Sequence, residues 1–340
     1  MWKTLQIAFA YIGTVVGAGF ATGQEIVQFF TQFGWIATIT ISICSLLFMY
    51  GGARLMLIAS RLEAKSYEDV NIYLFGARLG KFISVFTLLV LLSVTGVMLA
   101  GAGAIFDEHL RLPYQLGLFL TLILVYFSLK KGMSAILSIN SLVVPFMILF
   151  SLIMIDITID APLSNRWLHL TSDHAIHITW LSPILYVSFN LWMAQAVLVP
   201  IGASIKKRRT IIWGSVLGGA GIGLLIWVAH FSLSPLMPGI RQFEIPMTQV
   251  IAHHSFFVHS LFLLILFSEI FTTLLANVYG LRLQMQTYLK WRVDFITLLI
   301  LVICYAVSQF GFKDLLSVLY PLFGLIGLFW FVRLLWVRTE

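Results

Sequence analysis

The chain has 340 residues, is 60% hydrophobic and 10% charged, and carries a net charge of +7. Its mean hydropathy is +0.98. A soluble domain is about 25% charged, so a water-soluble globule is excluded and an all-α integral membrane protein is indicated. Two cysteines, Cys44 and Cys304, both inside apolar stretches, exclude a disulfide framework and a paired-cysteine metal motif.

Hydropathy predicts about ten spans, each long enough to cross ~30 Å of hydrocarbon. They run over 5–33, 35–58, 82–106, 114–130, 134–156, 178–202, 211–235, 257–284, 293–311 and 314–337. The first is too long for a signal peptide and lacks a cleavage site. Inside it, "GTVVGAGFATGQE" sets four glycines (Gly13, Gly17, Gly19 and Gly23) beside Glu25. A glycine costs about 1 kcal/mol against alanine in a helix interior. A charge at bilayer depth costs at least about 2.5 kcal/mol. Both make sense if the helix breaks there and offers bare backbone groups to a small solute. A half-helix resuming near Thr22 would then turn its positive end toward an anionic group. Helix packing through small residues is the alternative for each glycine taken singly. "TGQE", 22–25, also fits a capping box with Thr22 as cap. Glu25 is thus a cap, a proton carrier or a holder of a substrate amine, and these roles overlap.

Between spans two and three, "EAKSYEDVNIYLFGARLGK", 63–81, is polar on one side and apolar on the other. It predicts an interfacial helix. Span three is rich in small residues, "SVTGVMLAGAGAIF", and is a candidate wall for a solute site. Residues 156–177 form a linker. Span six holds Ser188, Phe189 and Asn190 at mid-depth between Pro183 and Pro200. Ser and Asn disfavour helix interiors, so a second break is expected there. Spans one and six correspond if the chain is two five-helix halves, 1–160 and 161–340, the second inverted. Paired interruptions in inverted repeats mark the midplane binding site of secondary transporters.

The loop 235–254 opens with the breaker cluster Pro-Leu-Met-Pro-Gly. "EIPMTQVI" then predicts a short helix, because proline suits a first helical position. Span eight carries Glu269, with Thr272 and Thr273 on the same helix face. With no Lys or Arg in a span core, Glu269 is either protonated or faces a cation or water. Oxygen ligands on one face suit a hard cation. The alternative is that the threonines bond their own helix and Glu269 is a protonated acid at a helix contact. Six of the eight histidines fall in external segments, where solvated side chains are the expectation. No Walker loop or nucleophile elbow is present, so an enzyme is not indicated.

Of the 21 Lys and Arg, 17 fall on the N-terminal side of the predicted topology and 4 on the other. This bias places both termini in the cytoplasm. It also explains "KKRR" at 206–209 as a topology anchor, so the positive charge does not signal nucleic acid.

"GTVVGAGFATGQEI", "SFNLWMAQAVLVPIG" and "SEIFTTLLANVYGL" resemble the YkvI-like family of bacterial membrane proteins over nearly the whole chain. That family is remotely similar to the amino acid–polyamine–organocation transporters, whose fold is the LeuT-like five-plus-five inverted repeat. The resemblance implies a bacterial inner-membrane transporter with broken helices one and six. It places the carbonyls of Gly13 and Val16 and the hydroxyls of Thr272 and Thr273 where sodium-coupled relatives hold Na+. Glu269 stands where those relatives use the carbonyl of a small residue, and this departure points to H+ as the alternative coupling ion. The substrate is placed against Gly17, Ala18, Gly19, Glu25, Ser188, Phe189 and Asn190. The implied function is secondary transport of a small amine- or carboxylate-bearing solute, such as an amino acid, with no cofactor beyond the coupling ion. A germinant-receptor-like sensor, which binds solute without accumulating it, is the alternative. Substrate, direction of transport and oligomeric state are not specified by the sequence.

Overall fold

The computed structural model describes residues 2–243, 245–252, 254–309, 323 and 326–337. The onset of the tenth predicted span, 314–322, lies outside the described residues, as do Lys313 and His253. In hydrocarbon no water is present to bond backbone N–H and C=O groups, so a spanning segment must close them internally as a helix. The apolar stretches accordingly fold as helices. These are α1 (Trp2–Val15), α2 (Ala18–Ala21), α3 (Gln24–Phe29), α4 (Ile36–Leu62), α5 (Tyr67–Phe75), α6 (Ala77–Ala104) and α7 (Tyr114–Leu129). They continue with α8 (Met133–Ile159), α9 (Arg166–His169), α10 (Ile176–Ala203), α11 (Arg208–Leu233), α12 (Pro246–Val250), α13 (Phe256–Tyr288) and α14 (Val293–Ser308). The described part of the last apolar segment forms α15 (Ile326–Trp336). Six helices, α4, α6, α8, α10, α11 and α13, are long and apolar enough to cross a membrane, and α7, α14 and α15 are shorter apolar helices. Large apolar side chains such as Leu46, Phe82, Phe119, Leu264 and Val302 point outward and exposed. So broad an apolar surface belongs against lipid.

The centre of the molecule is a bundle of α1, α4, α10 and α11. Those are the first two predicted spans of each half. Helices in lipid associate by close packing across small residues. Gly52 of α4 and Gly218 of α11 both receive the ring of Tyr11, and a side chain at either would collide with it. The Tyr11 hydroxyl donates to the Phe48 carbonyl at 2.8 Å. Around this bundle, α8 packs on α1, α11 and α13, and α6 packs on α13, α14 and α5.

Several expectations change. α10 is one continuous helix, so the predicted break in span six is absent. The polar residues that suggested it are accommodated by their own helix. Ser188 Oγ donates to the Ile184 carbonyl at 2.6 Å, and Asn190 Nδ2 donates to the Tyr186 carbonyl at 2.9 Å. Such bonds to the carbonyl four residues back satisfy a buried polar group without opening the helix. Two of the small residues of span three, Gly96 and Gly103, are packing contacts. A side chain at Gly96 would meet Val307 of α14, and one at Gly103 would meet Tyr114 of α7.

The predicted interfacial helix is the shorter α5. It starts at a capping box in which Ser66 Oγ accepts from Glu68 N–H and Asp69 accepts from the Ser66 N–H. Two of its polar residues, Glu68 and Asn71, turn inward. Glu68 accepts from Gln284 Nε2 at 2.6 Å and from the Tyr288 hydroxyl. Asn71 donates to Ser84 Oγ at 3.0 Å and accepts from the Trp330 indole at 2.8 Å. The proline expectation for the 235–254 loop is met: α12 carries Pro246 in its first turn.

Candidate functional site

Span one is divided twice. α1 ends at Val15, and Val16 N–H makes the last bond in register, to the Ile12 carbonyl at 2.8 Å. The next one, from Gly17 N–H to the Gly13 carbonyl, is not made. Among the described residues no backbone N–H reaches the carbonyl of Gly13 or of Val16. The ladder resumes when Ala21 N–H donates to the Gly17 carbonyl at 2.9 Å. The helix thus restarts at Ala18, earlier than the Thr22 expected, and only for one turn. A second interruption at Thr22 and Gly23 separates α2 from α3. Gly23 sits at φ +86 with Leu233 and Met247 close by. A residue with a Cβ is disfavoured in that left-handed conformation.

The capping box expected at Thr22 does not form. The cap position of α3 is Gly23, without a side-chain bond. The Thr22 hydroxyl donates to the Gly19 carbonyl at 3.0 Å and accepts from the Gln24 N–H at 3.5 Å, one residue short of the Glu25 N–H that a capping box uses. Glu25 is buried and folds back, but over Gly19: a side chain there would collide with its carboxylate. The 235–254 loop clasps this second break. Met247 N–H donates to the Thr22 carbonyl at 3.0 Å, and Gln24 Nε2 donates to the Phe243 carbonyl at 3.1 Å.

α13 faces the first break. Thr273 Oγ1 lies 3.2 Å from the position a Cβ would take at Gly17. That hydroxyl is buried and has no hydrogen-bond partner among the described residues. Thr272, fully buried, donates to the Glu269 carbonyl at 3.1 Å. Glu269 is 0% exposed, and neither carboxylate oxygen has a hydrogen-bond partner among the described residues. Arg282 proves to be buried in the same helix, donating to the Leu129 carbonyl at 3.2 Å. It stands thirteen residues on, about 20 Å along the axis at 1.5 Å per residue, too far to neutralise Glu269.

The structure therefore brings Gly17 and Thr273 together, and Gly19 and Glu25. It does not bring the Ser188–Asn190 stretch to them through a second break. α10 packs on α1 and also reaches the second half of span one, at α3. Ser182 Oγ donates to the Phe29 carbonyl at 2.8 Å, and the Tyr186 ring packs on Phe29 and Phe30, with centroids 5.3 and 5.2 Å apart. The Phe189 ring stacks on Phe323 at 6.4 Å.

Beside α2 lies an apolar cavity bounded by Phe20 and Ala21, by Met147 and Met154 of α8, by Ser232 of α11 and by Ile265 of α13. No residue nominated from the sequence lines it, although Phe20 and Ala21 follow Gly19 directly. The signal that could have found it is the Phe-Ala pair that closes the glycine motif. Two further polar groups were missed. Asn140 of α8 lies on Gly13. His230 of α11 is fully buried, with Nδ1 3.2 Å from Thr31 Oγ1.

No family model matches the chain. Among solved structures, MhsT in complex with L-phenylalanine superimposes with a TM-score of 0.71 at 13% identity, covering 97% of this chain and 86% of that one. A substrate-bound Na+-coupled sialic acid symporter gives 0.72 at 11% identity, covering 98% and 79%. These likenesses establish the LeuT fold. The membrane protein YkvI of Bacillus subtilis (strain 168) is 41% identical over 330 residues, 95% of this chain and 92% of that protein. With the broken first helix and the LeuT fold in place, that identity shows that the chain belongs to the YkvI-like family of multi-pass membrane proteins.

Proposed function

We propose that this protein is a secondary active transporter. It moves a small amine- or carboxylate-bearing solute, such as an amino acid, by alternating access around the broken first helix. The coupling ion is Na+ or H+, and both termini are cytoplasmic, as the distribution of Lys and Arg favours. One observation carries this reading. At the first break, the carbonyls of Gly13 and Val16 receive no backbone N–H among the described residues, and the buried Thr273 hydroxyl, without a hydrogen-bond partner among them, faces Gly17. Irregular backbone at membrane depth is tolerated where it is enclosed by protein or lines a cavity. Released carbonyls and a hydroxyl oxygen form a set of acceptors, suited to a cation or an ammonium group. The LeuT fold, which a Na+-coupled symporter shares, supports it. The apolar cavity beside α2 suits the side chain of an apolar solute.

Gly13, Val16, Glu269, Thr272 and Thr273 are assigned to the ion. Gly17, Ala18, Gly19 and Glu25 are assigned to the solute. Ser188, Phe189 and Asn190 lose their argument from helix unwinding and keep only a place along α10. The test begins with a thermal-shift screen of amino acids, polyamines and osmolytes. A ligand at a hundred times its Kd stabilises the folded state by about 2.7 kcal/mol. The solute found is then offered to proteoliposomes under a Na+ or a pH gradient. Accumulation against its own gradient is expected. Binding without accumulation under either gradient would replace the transporter by a sensor.

A further inference from the structure

Asn140 adds an oxygen to the ion site that the sequence did not nominate. It lies in α8 and is 0% exposed. Its Nδ2 donates to the Ile136 carbonyl at 2.9 Å. That bond fixes the amide, because the flipped amide would set oxygen against oxygen. Oδ1 is thereby directed onto Gly13 of α1, occupying the space a side chain would take there. No hydrogen-bond partner reaches Oδ1 among the described residues. A buried amide oxygen without a donor is costly, and a contact with the Gly13 Cα–H is too weak to offset that.

Position explains what the oxygen could serve. Gly13 lies in the last turn of α1, and Gly17 stands in the break beyond its end. Asn140 Oδ1 meets span one at Gly13, and Thr273 Oγ1 meets it at Gly17. The Gly13 carbonyl receives no backbone N–H among the described residues. A helical carbonyl points toward the C-terminal end, here toward Gly17. α8 packs against both α1 and α13, so the three segments converge. The oxygens of Asn140, Gly13, Val16 and Thr273 are neutral, and Glu269 is the one acid among the groups assigned to the ion. Among the described residues no three His, Cys, Asp or Glu side chains cluster in the manner of a transition-metal site. Neutral oxygens suit a hard cation, and an amide oxygen holds no proton at ordinary pH.

We propose that Asn140 Oδ1 is a ligand of the coupling ion. Together with the carbonyls of Gly13 and Val16 and the Thr273 hydroxyl, it makes a site for a monovalent metal cation, Na+. This rests on the cation-coupled reading and deepens it by naming the ion. Asn140 carries no charge, so its contribution is geometric and dipolar.

The experiment is thermal unfolding of the full-length protein in detergent, in NaCl, KCl or choline chloride at equal ionic strength. The wild type should be stabilised saturably by Na+ over K+ and choline. Asn140→Ala should raise the apparent Kd for Na+ by about tenfold or more, as expected when a direct ligand of a site linked to stability is lost. Asn140→Asp keeps the size and the facing oxygen and adds a charge, but sets its second oxygen against the Ile136 carbonyl, so a lower melting temperature together with tighter Na+ binding than the wild type is expected. If Asn140→Ala only lowers the melting temperature and leaves the Na+ dependence unchanged, the proposal is overturned. It is equally overturned if Asn140→Asp leaves the Na+ affinity unaltered, a check that holds even if the alanine variant does not fold. A wild type indifferent to Na+ overturns the proposal too. Transport would then stand or fall separately, on uptake under a pH gradient.

Discussion

Gly19 has no side chain, and the carboxylate of Glu25 occupies the space one would take. If the Gly17–Gly19 stretch holds solute, Gly19→Leu should abolish solute binding, because its side chain must displace Glu25 and fill the site. Overpacking of this kind costs about 1–3 kcal/mol, so a folded, membrane-inserted variant with a lowered melting temperature is expected. The measurement is solute-induced thermal shift in wild type and variant. An unchanged shift in folded Gly19→Leu would assign the glycine to helix packing. Thr272 and Thr273 show how far apart adjacent hydroxyls can fall. Thr272 returns its proton to the Glu269 carbonyl, whereas Thr273 has no partner among the described residues and faces Gly17. Their spacing on the helix is legible in the sequence. Which of them turns to its own backbone is decided by neighbours from α1 and is not.

Among the helices, α5 illustrates why amphipathicity can mislead. Its sequence pattern turns the polar side toward headgroups. Glu68 and Asn71 instead bond to α13, α6 and α15, at Gln284, Ser84 and Trp330. Charged and amide side chains turn inward when the interior offers donors and acceptors that satisfy them, and a single sequence does not show those partners. α5 is therefore a strut tying three helices together. Asn71→Leu would leave the Trp330 indole N–H and the Ser84 hydroxyl each short of a partner. A loss of about 1–3 kcal/mol is expected, read as a lower melting temperature with Na+ and solute responses unchanged. A variant as stable as the wild type would contradict the strut.

The same logic explains α10. Ser188 and Asn190 have low helix propensity, and Pro183 precedes them, so local preference alone favours an interruption. Each polar group finds a carbonyl four residues back, and the surrounding bundle keeps the helix whole. By contrast the break at Gly17 is legible, because three glycines within seven residues leave no side chains to hold the helix. The restart at Pro246 in α12 is legible for a local reason as well, since proline has no N–H to satisfy in a first turn.

For the molecule as a unit, hydropathy reads the spans closely because bilayer thickness sets their length. The predicted 134–156 is α8, Met133–Ile159, and the predicted 178–202 is α10, Ile176–Ala203. The packing of those spans is not legible, and Asn140 was hidden for that reason. Nothing near it in sequence marks it as facing Gly13, more than a hundred residues earlier. The proposed coupling mechanism has ion binding at the first break drive the solute, with Glu269 setting which ion. Glu269 is buried and bare of donors among the described residues, so in its charged form it needs a cation beside it. Glu269→Gln keeps the shape and removes both the charge and the titratable proton. The decisive measurement is solute uptake into proteoliposomes under a Na+ gradient or a pH gradient, wild type against Glu269→Gln. Wild type should follow one gradient. Glu269→Gln should then lose pH-driven accumulation while sparing solute exchange, or show a weakened Na+ dependence. A variant that follows the same gradient as well as the wild type would rule out a role for Glu269 in coupling.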